Sequence, residues 1–142
     1  DYALIGIHSV LTDYRMAYFL NSHLDIRLRR FKEDLDFKFR NCSFPLYKFD
    51  DETAFTSWSL MANKHVFTEV TSEGGSIIFP EETKISYLIP EKKRVDYFIK
   101  INGLKDDTEL HNTMLGINKI NNIMASYVID PMDLKSRDNL IF

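Results

Sequence analysis

The side chains able to do acid–base, nucleophilic or metal chemistry are thinly spread along this chain. His8, His23, His65 and His111 stand far apart, and none is spaced i, i+4 from a second histidine or a cysteine. A zinc site needs three or four converging donors, so the histidines read as ordinary surface or core residues and no metal centre is expected. Cys42 lies between Asn41 and Ser43, with Arg40 the one basic residue nearby. A nucleophilic thiol needs a base, a cation or a helix start to lower its pKa. Cys42 therefore reads as a half-buried structural cysteine. Gly74-Gly75 lacks the Lys-Ser/Thr of a phosphate-binding loop and opens no helix, so it reads as a hairpin tip. There is no Gly-x-Ser-x-Gly elbow, and the acidic pairs Asp50-Asp51 and Asp106-Asp107 look like a turn and a helix start. No catalytic, metal-binding or cofactor-binding residue is expected, and no cofactor.

Two stretches carry more weight. In Arg27-Leu28-Arg29-Arg30-Phe31-Lys32, strand alternation points Arg27, Arg29 and Phe31 one way and Leu28, Arg30 and Lys32 the other. Two arginines plus an aromatic on an open sheet face can grip phosphate and stack a base. The plainer reading is an edge strand whose charge discourages aggregation, with Glu33, Asp34 and Asp36 diluting any phosphate-attracting field. The plainer reading is preferred. The second stretch runs from Leu88 to Phe98. Pro90 ends a strand because it cannot donate to a ladder, and Lys92, Lys93 and Arg94 form a solvated cationic tip. Asp96 at a strand start can take a backbone amide, pair with an arginine or meet a partner, and structural use by a hairpin is favoured. Glu91, Arg94, Asp96 and Tyr97, with Arg27, Arg29 and Arg30, are the candidate interaction residues.

The elements that must position these residues follow from patterning. A chain of 142 residues fits one domain, spanning 1–142. Its 44% hydrophobic content, eleven Phe and seven Tyr at a net charge of −3 describe a chain that folds, not a disordered one. The mild acidity argues against a dedicated nucleic-acid binder. A lone cysteine forbids an internal disulfide and suits a reducing cytosol. No apolar run approaches the length of a membrane helix, and no signal-type segment is present, although a start at Asp1 suggests that native residues precede it.

Tyr2 to His8 predicts a strand covered on both faces. Ser9 or Thr12 caps a helix from about Leu11 to His23, with Leu11, Tyr14 and Tyr18 on one stripe and Met16, Phe19, Leu20 and Leu24 beside it. Asp25 to Lys32 reads as the next strand, which implies a parallel pair with a crossover. Phe44 to Asp50, Ser57 to Val70, Lys84 to Ile89 and Val95 to Ile101 are β-prone runs split by turn clusters. Short links predict antiparallel hairpins whose sheet covers a core on one side only. Asp106 with Glu109 resembles a capping box for a helix to about Asn122, and Ala125 to Ile129 is a last strand stopped by Asp130-Pro131. The expected class is α+β: a mixed, mainly antiparallel sheet of about six to seven strands and two helices on one face, in the order β-α-β-β-β-β-β-α-β.

Ile89-Pro90-Glu91, three intervening residues, then Val95-Asp96-Tyr97 resembles the signature of the IPExxxVDY family of small bacterial proteins. The likeness extends to His8-Ser9, Asp13-Tyr14-Arg15, Ala17-Tyr18-Phe19-Leu20-Asn21, Asp34-Leu35-Asp36-Phe37, Leu134-Lys135-Ser136 and Asn139-Leu140-Ile141-Phe142. The family is named for its motif and has no assigned activity, so the resemblance implies a small cytoplasmic protein and transfers no catalytic residue.

The functional expectation is a non-enzymatic protein-interaction or scaffold module, with a protein partner or self-association and no membrane. Phe44, Tyr47, Phe49, Phe55 and Trp58 exceed the obvious needs of one small core, and interfaces favour aromatics. The apolar end Leu140-Ile141-Phe142 is expected to dock on its own domain or on a second copy. The alternatives are an RNA- or ribosome-associated protein using the basic strand and the Lys92–Arg94 tip, or a small-ligand-binding regulatory domain.

Overall fold

The computed structural model describes residues 1–37, 42–70 and 81–142. Arg40, Asn41 and the Ser72-Glu73-Gly74-Gly75-Ser76 cluster therefore lie outside the described residues. The elements follow the chain as β1 (Ala3–Ser9), α1 (Asp13–Leu24), β2 (Arg29–Arg30), β3 (Leu35–Phe37), β4 (Cys42–Phe44), β5 (Leu46–Asp51), β6 (Thr56–Ala62), β7 (Lys64–Val70), β8 (Glu81–Tyr87), β9 (Tyr97–Asn102), α2 (Asp107–Asn118) and β10 (Ile123–Ile129). Six strands form one sheet in the order β10-β1-β9-β6-β5-β2, while β3-β4 and β7-β8 form two-stranded sheets of their own. The expected α+β class with two helices and a mainly antiparallel sheet is what forms.

The pairing corrects one expectation. β1 is antiparallel to both β9 and β10, and β2 pairs with β5 at the far edge, so the first strand–helix–strand unit makes no parallel pair. Strands from the C-terminal third occupy both flanks of β1 and leave β2 no place beside it. The closing unit β9-α2-β10 is split in the same way: its two strands run in one direction with β1 between them. The long run Ser57 to Val70 also breaks in two at Asn63, between the main sheet and the β7-β8 pair.

Both helices lie on one face. Met16, Ala17 and Leu20 of α1 and Ile117 of α2, with Ile120 beyond it, bury against Ile5, Ile7, Leu60, Ile99 and Ile101. The stripe of α1 differs from the expected one. Tyr14 and Tyr18 stand 65% and 68% exposed, and Met16, Ala17 and Leu20 face inward instead. Thr12 is the N-cap residue without a side-chain bond, and Ser9 Oγ instead accepts from the Leu11 amide at 3.2 Å. In α2, Asp106 accepts from the Glu109 amide at 3.0 Å, and Glu109 reaches back to the Lys105 amide at 2.7 Å. This is a capping box displaced by one residue.

The opposite face is covered too, against the one-sided expectation. Leu4, Met61, Phe98 and Ile129 meet Leu35, Cys42 and Phe44 from β3-β4, and Leu88, Ile89, Leu134 and Leu140 from connecting segments. Each such side chain is worth about 1.5–3 kcal/mol when fully buried, so segments without regular structure still hold this face. Cys42 is buried, not half-buried. Leu140 docks the C-terminal end on its own domain, while Ile141 stays exposed. No helix among the described residues is long and apolar enough to cross a membrane.

The β5-β6 turn closes against the end of β9. Asp51 Oδ1 accepts from the Thr53 and Ala54 amides at 3.0 and 3.1 Å, and Phe55 takes a left-handed φ of 54–57° class seen also at Asp25 (φ 57 and 54). Gly103 has φ +91°, and a Cβ there would collide with the Phe55 carbonyl oxygen. Gly103→Ala is therefore expected to cost about 1–3 kcal/mol. The check is a lower urea midpoint at unchanged slope. An unchanged midpoint would mean that the turn yields freely.

Candidate functional site

The signature segment joins the two-stranded β7-β8 sheet to the main sheet and is no hairpin, since β8 pairs with β7 and β9 with β1 and β6. Leu88, Ile89 and Val95 are apolar and sink into the second core. Pro90 to Lys92 between them form a 3-10 turn, closed by Lys92 N to Ile89 O and followed by Val95 N to Lys92 O. This geometry suits proline at the first turn position, where its missing N–H costs nothing.

Asn63, fully buried, holds the segment. Its Nδ2 donates to Lys92 O and Val95 O, both at 2.8 Å, and its Oδ1 accepts from the Ile89 amide at 2.8 Å. Its backbone donates to Asp96 O and accepts from Leu88 N, both at 2.9 Å. Sequence reasoning passed over this residue. The available signal was an Asn, poorly suited to strands, in the middle of a long β-prone run.

Asp96 and Tyr97 fasten the segment to β1 and the loop beyond it. Asp96 Oδ2 accepts from the Ser9 amide at 2.9 Å, its Oδ1 pairs with Lys64 Nζ at 3.2 Å, and its amide donates to Ile7 O at 2.8 Å. Ser9 in turn donates through Oγ to Asn122 O at 2.7 Å, just before β10. The Tyr97 hydroxyl donates to Leu11 O at 2.6 Å. Burial, then the charges of Asp13 and Asp96, push that phenol well above the usual tyrosine range. Glu91 Oε2 accepts from the Ser136 amide at 2.6 Å. Burial alone would raise its pKa, but hydrogen bonds from its own backbone, from Ser136 and from Lys135 outweigh that and lower it.

Of the four signature candidates, Arg94 alone has no partner among the described residues. It is exposed, beside Lys92 and Lys93, and lines two adjoining depressions of about 570 and 560 Å³ that share His8. Met124 lies in the first and Tyr127 in the second. Both belong to β10, which among the described residues pairs with β1 only and so presents an outer edge that none of them covers. Tyr127 stacks on His8 at 5.5 Å, above Gly6, where a Cβ would meet the Tyr127 ring at 3.5 Å and Ile129 Cδ1 at 2.8 Å. β10 carries no charged residue, and Met124 and Val128 are 68% and 50% exposed.

Arg27, Arg29 and Arg30 sit at the other end of the fold, on or before the opposite edge strand β2. Arg30 pairs with Asp34 at 2.6 Å and Asp13 at 3.7 Å, over the Tyr47 ring at 5.6 Å. Burial, then a hydrogen bond to Asp13, push the Tyr47 phenol up to about 12. Arg29 points to the other face, and Arg27 is exposed, with no partner among the described residues. The seven candidates thus form two separate groups. No three metal-ligating side chains converge among the described residues. His65 instead accepts from the Ser43 amide through Nδ1 at 2.8 Å. The chain matches no family model, no curated protein and no solved structure.

Two outcomes follow from the fastening residues. Asn63→Ala strands several buried backbone groups, so a loss of about 3 kcal/mol in urea unfolding is expected. Glu91, with a folded pKa below the ordinary 4.5, stabilises fully above that pH and progressively less as pH falls through its folded value. Melting temperatures of the native protein and Glu91→Gln should differ at neutral pH and converge in acid. A gap that is constant with pH would contradict the assignment.

Proposed function

We propose that the chain is a non-enzymatic interaction module that accepts an extended, acidic segment of a partner protein along β10. The uncharged seven-residue edge, open among the described residues, beside Lys92, Lys93 and Arg94, which have no carboxylate within ion-pair distance among them, carries this reading. An incoming strand finds free backbone donors and acceptors there, each net bond worth about 0.5–1.5 kcal/mol. Its side chains alternate between two environments. Those on the second face meet Tyr127 and the cationic tip, and those on the helix face meet Val128.

Charge complementarity selects the partner. The carboxylates beside the tip are already engaged, Asp96 with Lys64 and the Ser9 amide and Glu91 with the Ser136 amide. Acidic side chains on the partner supply the missing counter-charge and speed encounter. The single buried Cys42 suits a cytosolic setting, and the Ile89–Tyr97 signature supports membership of the IPExxxVDY family. In this reading the signature's conformation serves to shape the tip beside the edge.

Selection from a displayed random-peptide library tests the proposal. Bound peptides should alternate apolar residues with Asp or Glu and lose affinity steeply with salt. Arg94→Glu should weaken them at least tenfold, and Met124→Lys with Val128→Lys should abolish binding without lowering the melting temperature. Enrichment of peptides indifferent to both changes would defeat the proposal. Concentration-dependent dimerisation abolished by the same lysines would assign the edge to a second copy instead.

A further inference from the structure

The second face of the sheet turns polar toward the end remote from the signature. Lys100, Ser59, Lys48 and Arg29 are successive cross-strand partners on β9, β6, β5 and β2. With strands about 4.8 Å apart, this row sets three cations close together on one face. Like charges so placed repel and destabilise a sheet. None of the three has a carboxylate within ion-pair distance among the described residues.

The chain's own groups relieve this only in part. Lys100 Nζ donates to Leu140 O at 2.7 Å. The Lys100 and Lys48 ammonium groups lie 4.8 and 5.6 Å from the Phe142 ring centre, and Lys100 lies 4.7 Å from that of Tyr2. Burial, then the charge of Lys48, lower the Lys100 pKa. Between the two lysines is a recess of about 190 Å³, with Ser57, Ser59, Asn102 and Phe142 in its wall and Asp50 among its lining. Ser59 is only 7% exposed and lines the recess with its side chain beside both lysines.

We propose that this recess binds a compact oxyanion, the phosphate or carboxylate group of a small ligand, between Lys48 and Lys100. The two ammonium groups act as point charges, Ser59 and Ser57 donate through their hydroxyls, and the Phe142 ring forms an apolar wall. Asp50 sits in the lining with the ligand's own sign and disfavours extended polyanions, so one compact group is preferred. The recess has room for such a group with a few waters, given about 30 Å³ for each water. The site lies away from the β10 edge and does not depend on the interaction reading.

Calorimetric titration of the full chain with inorganic phosphate and with acetate, at ionic strength fixed by chloride, tests this. One of the two should bind saturably at one site per chain, and the tighter identifies the group. Lys48→Met should weaken binding at least tenfold, and Ser59→Ala several-fold with the unliganded melting temperature kept. Because the cations repel, Lys48→Met should also raise the melting temperature in anion-free buffer and erase the stabilisation that the anion gives the native protein. Phosphate and acetate acting no differently from chloride, or binding unaltered by Lys48→Met, would overturn the proposal.

Discussion

The fold depends on one buried amide. Asn63 sits where the β6 strand leaves the main sheet and β7 begins, and every polar atom it owns is engaged with residues 88–96. Its surroundings are apolar, so each of those bonds, if unmade, would cost about 1–3 kcal/mol. Only one path of the intervening segment meets all of them together. The constraint then spreads. Asp96, fixed by its own carbonyl's bond to Asn63, presents its carboxylate to Ser9 and Lys64. Ser9 passes the restraint to Asn122 and so to the start of β10. A polar residue in one connection therefore sets the position of an edge strand sixty residues further on.

Sequence reading recovers what depends on local periodicity. α2 was legible because Asp106, Glu109, Ile117 and Ile120 each act within their own turn or face. β9 was legible as a strand, but not as one buried on both faces, because nothing near Phe98 in sequence reveals that Leu134 and Leu140 will cover it. The partner of β1 was misjudged for a related reason. Adjacency in sequence suggested β2, whereas pairing was decided by β9 and β10, about a hundred residues away. The tyrosines of α1 misled because their spacing put them on one stripe with Leu11, while Met16, Ala17 and Leu20 are the residues that face the sheet.

The candidate interaction residues divide by the same logic. Glu91, Asp96 and Tyr97 attracted notice as polar or aromatic groups at a sharp turn, and their chemistry is engaged inward with the Ser136 amide, Ser9 and Leu11. The six-residue separation of Ile89 and Val95 is what a two-ended anchor requires: these apolar residues plug the core while the 3-10 turn lies between them. Arg94 falls among the intervening residues and is exposed to solvent. Arg30 and Arg29 separate likewise, neighbours in sequence placed on opposite faces by strand alternation, one neutralised by two aspartates and the other left in a row of cations.

An open edge strand without charge is a hazard that sheet proteins ordinarily blunt. The opposite edge here is blunted: β2 is two residues long and consists of arginines. β10 is treated differently. Its register with β1 shifts between His8 and Ser9, which leaves Met124 as the extra residue of a bulge and confines regular pairing to the stretch beyond it. Past that bulge the strand keeps full length, and Ser126 Oγ bonds Asn118 Oδ1 at 2.6 Å, tying it to the end of α2. The edge is thus held firm while it is left unprotected. Pairing with a second β10 would satisfy its backbone but bring no negative charge to the Lys92–Arg94 tip, whereas an acidic strand satisfies both. On the proposed reading, the cationic tip would give the edge a selectivity that backbone pairing alone cannot provide.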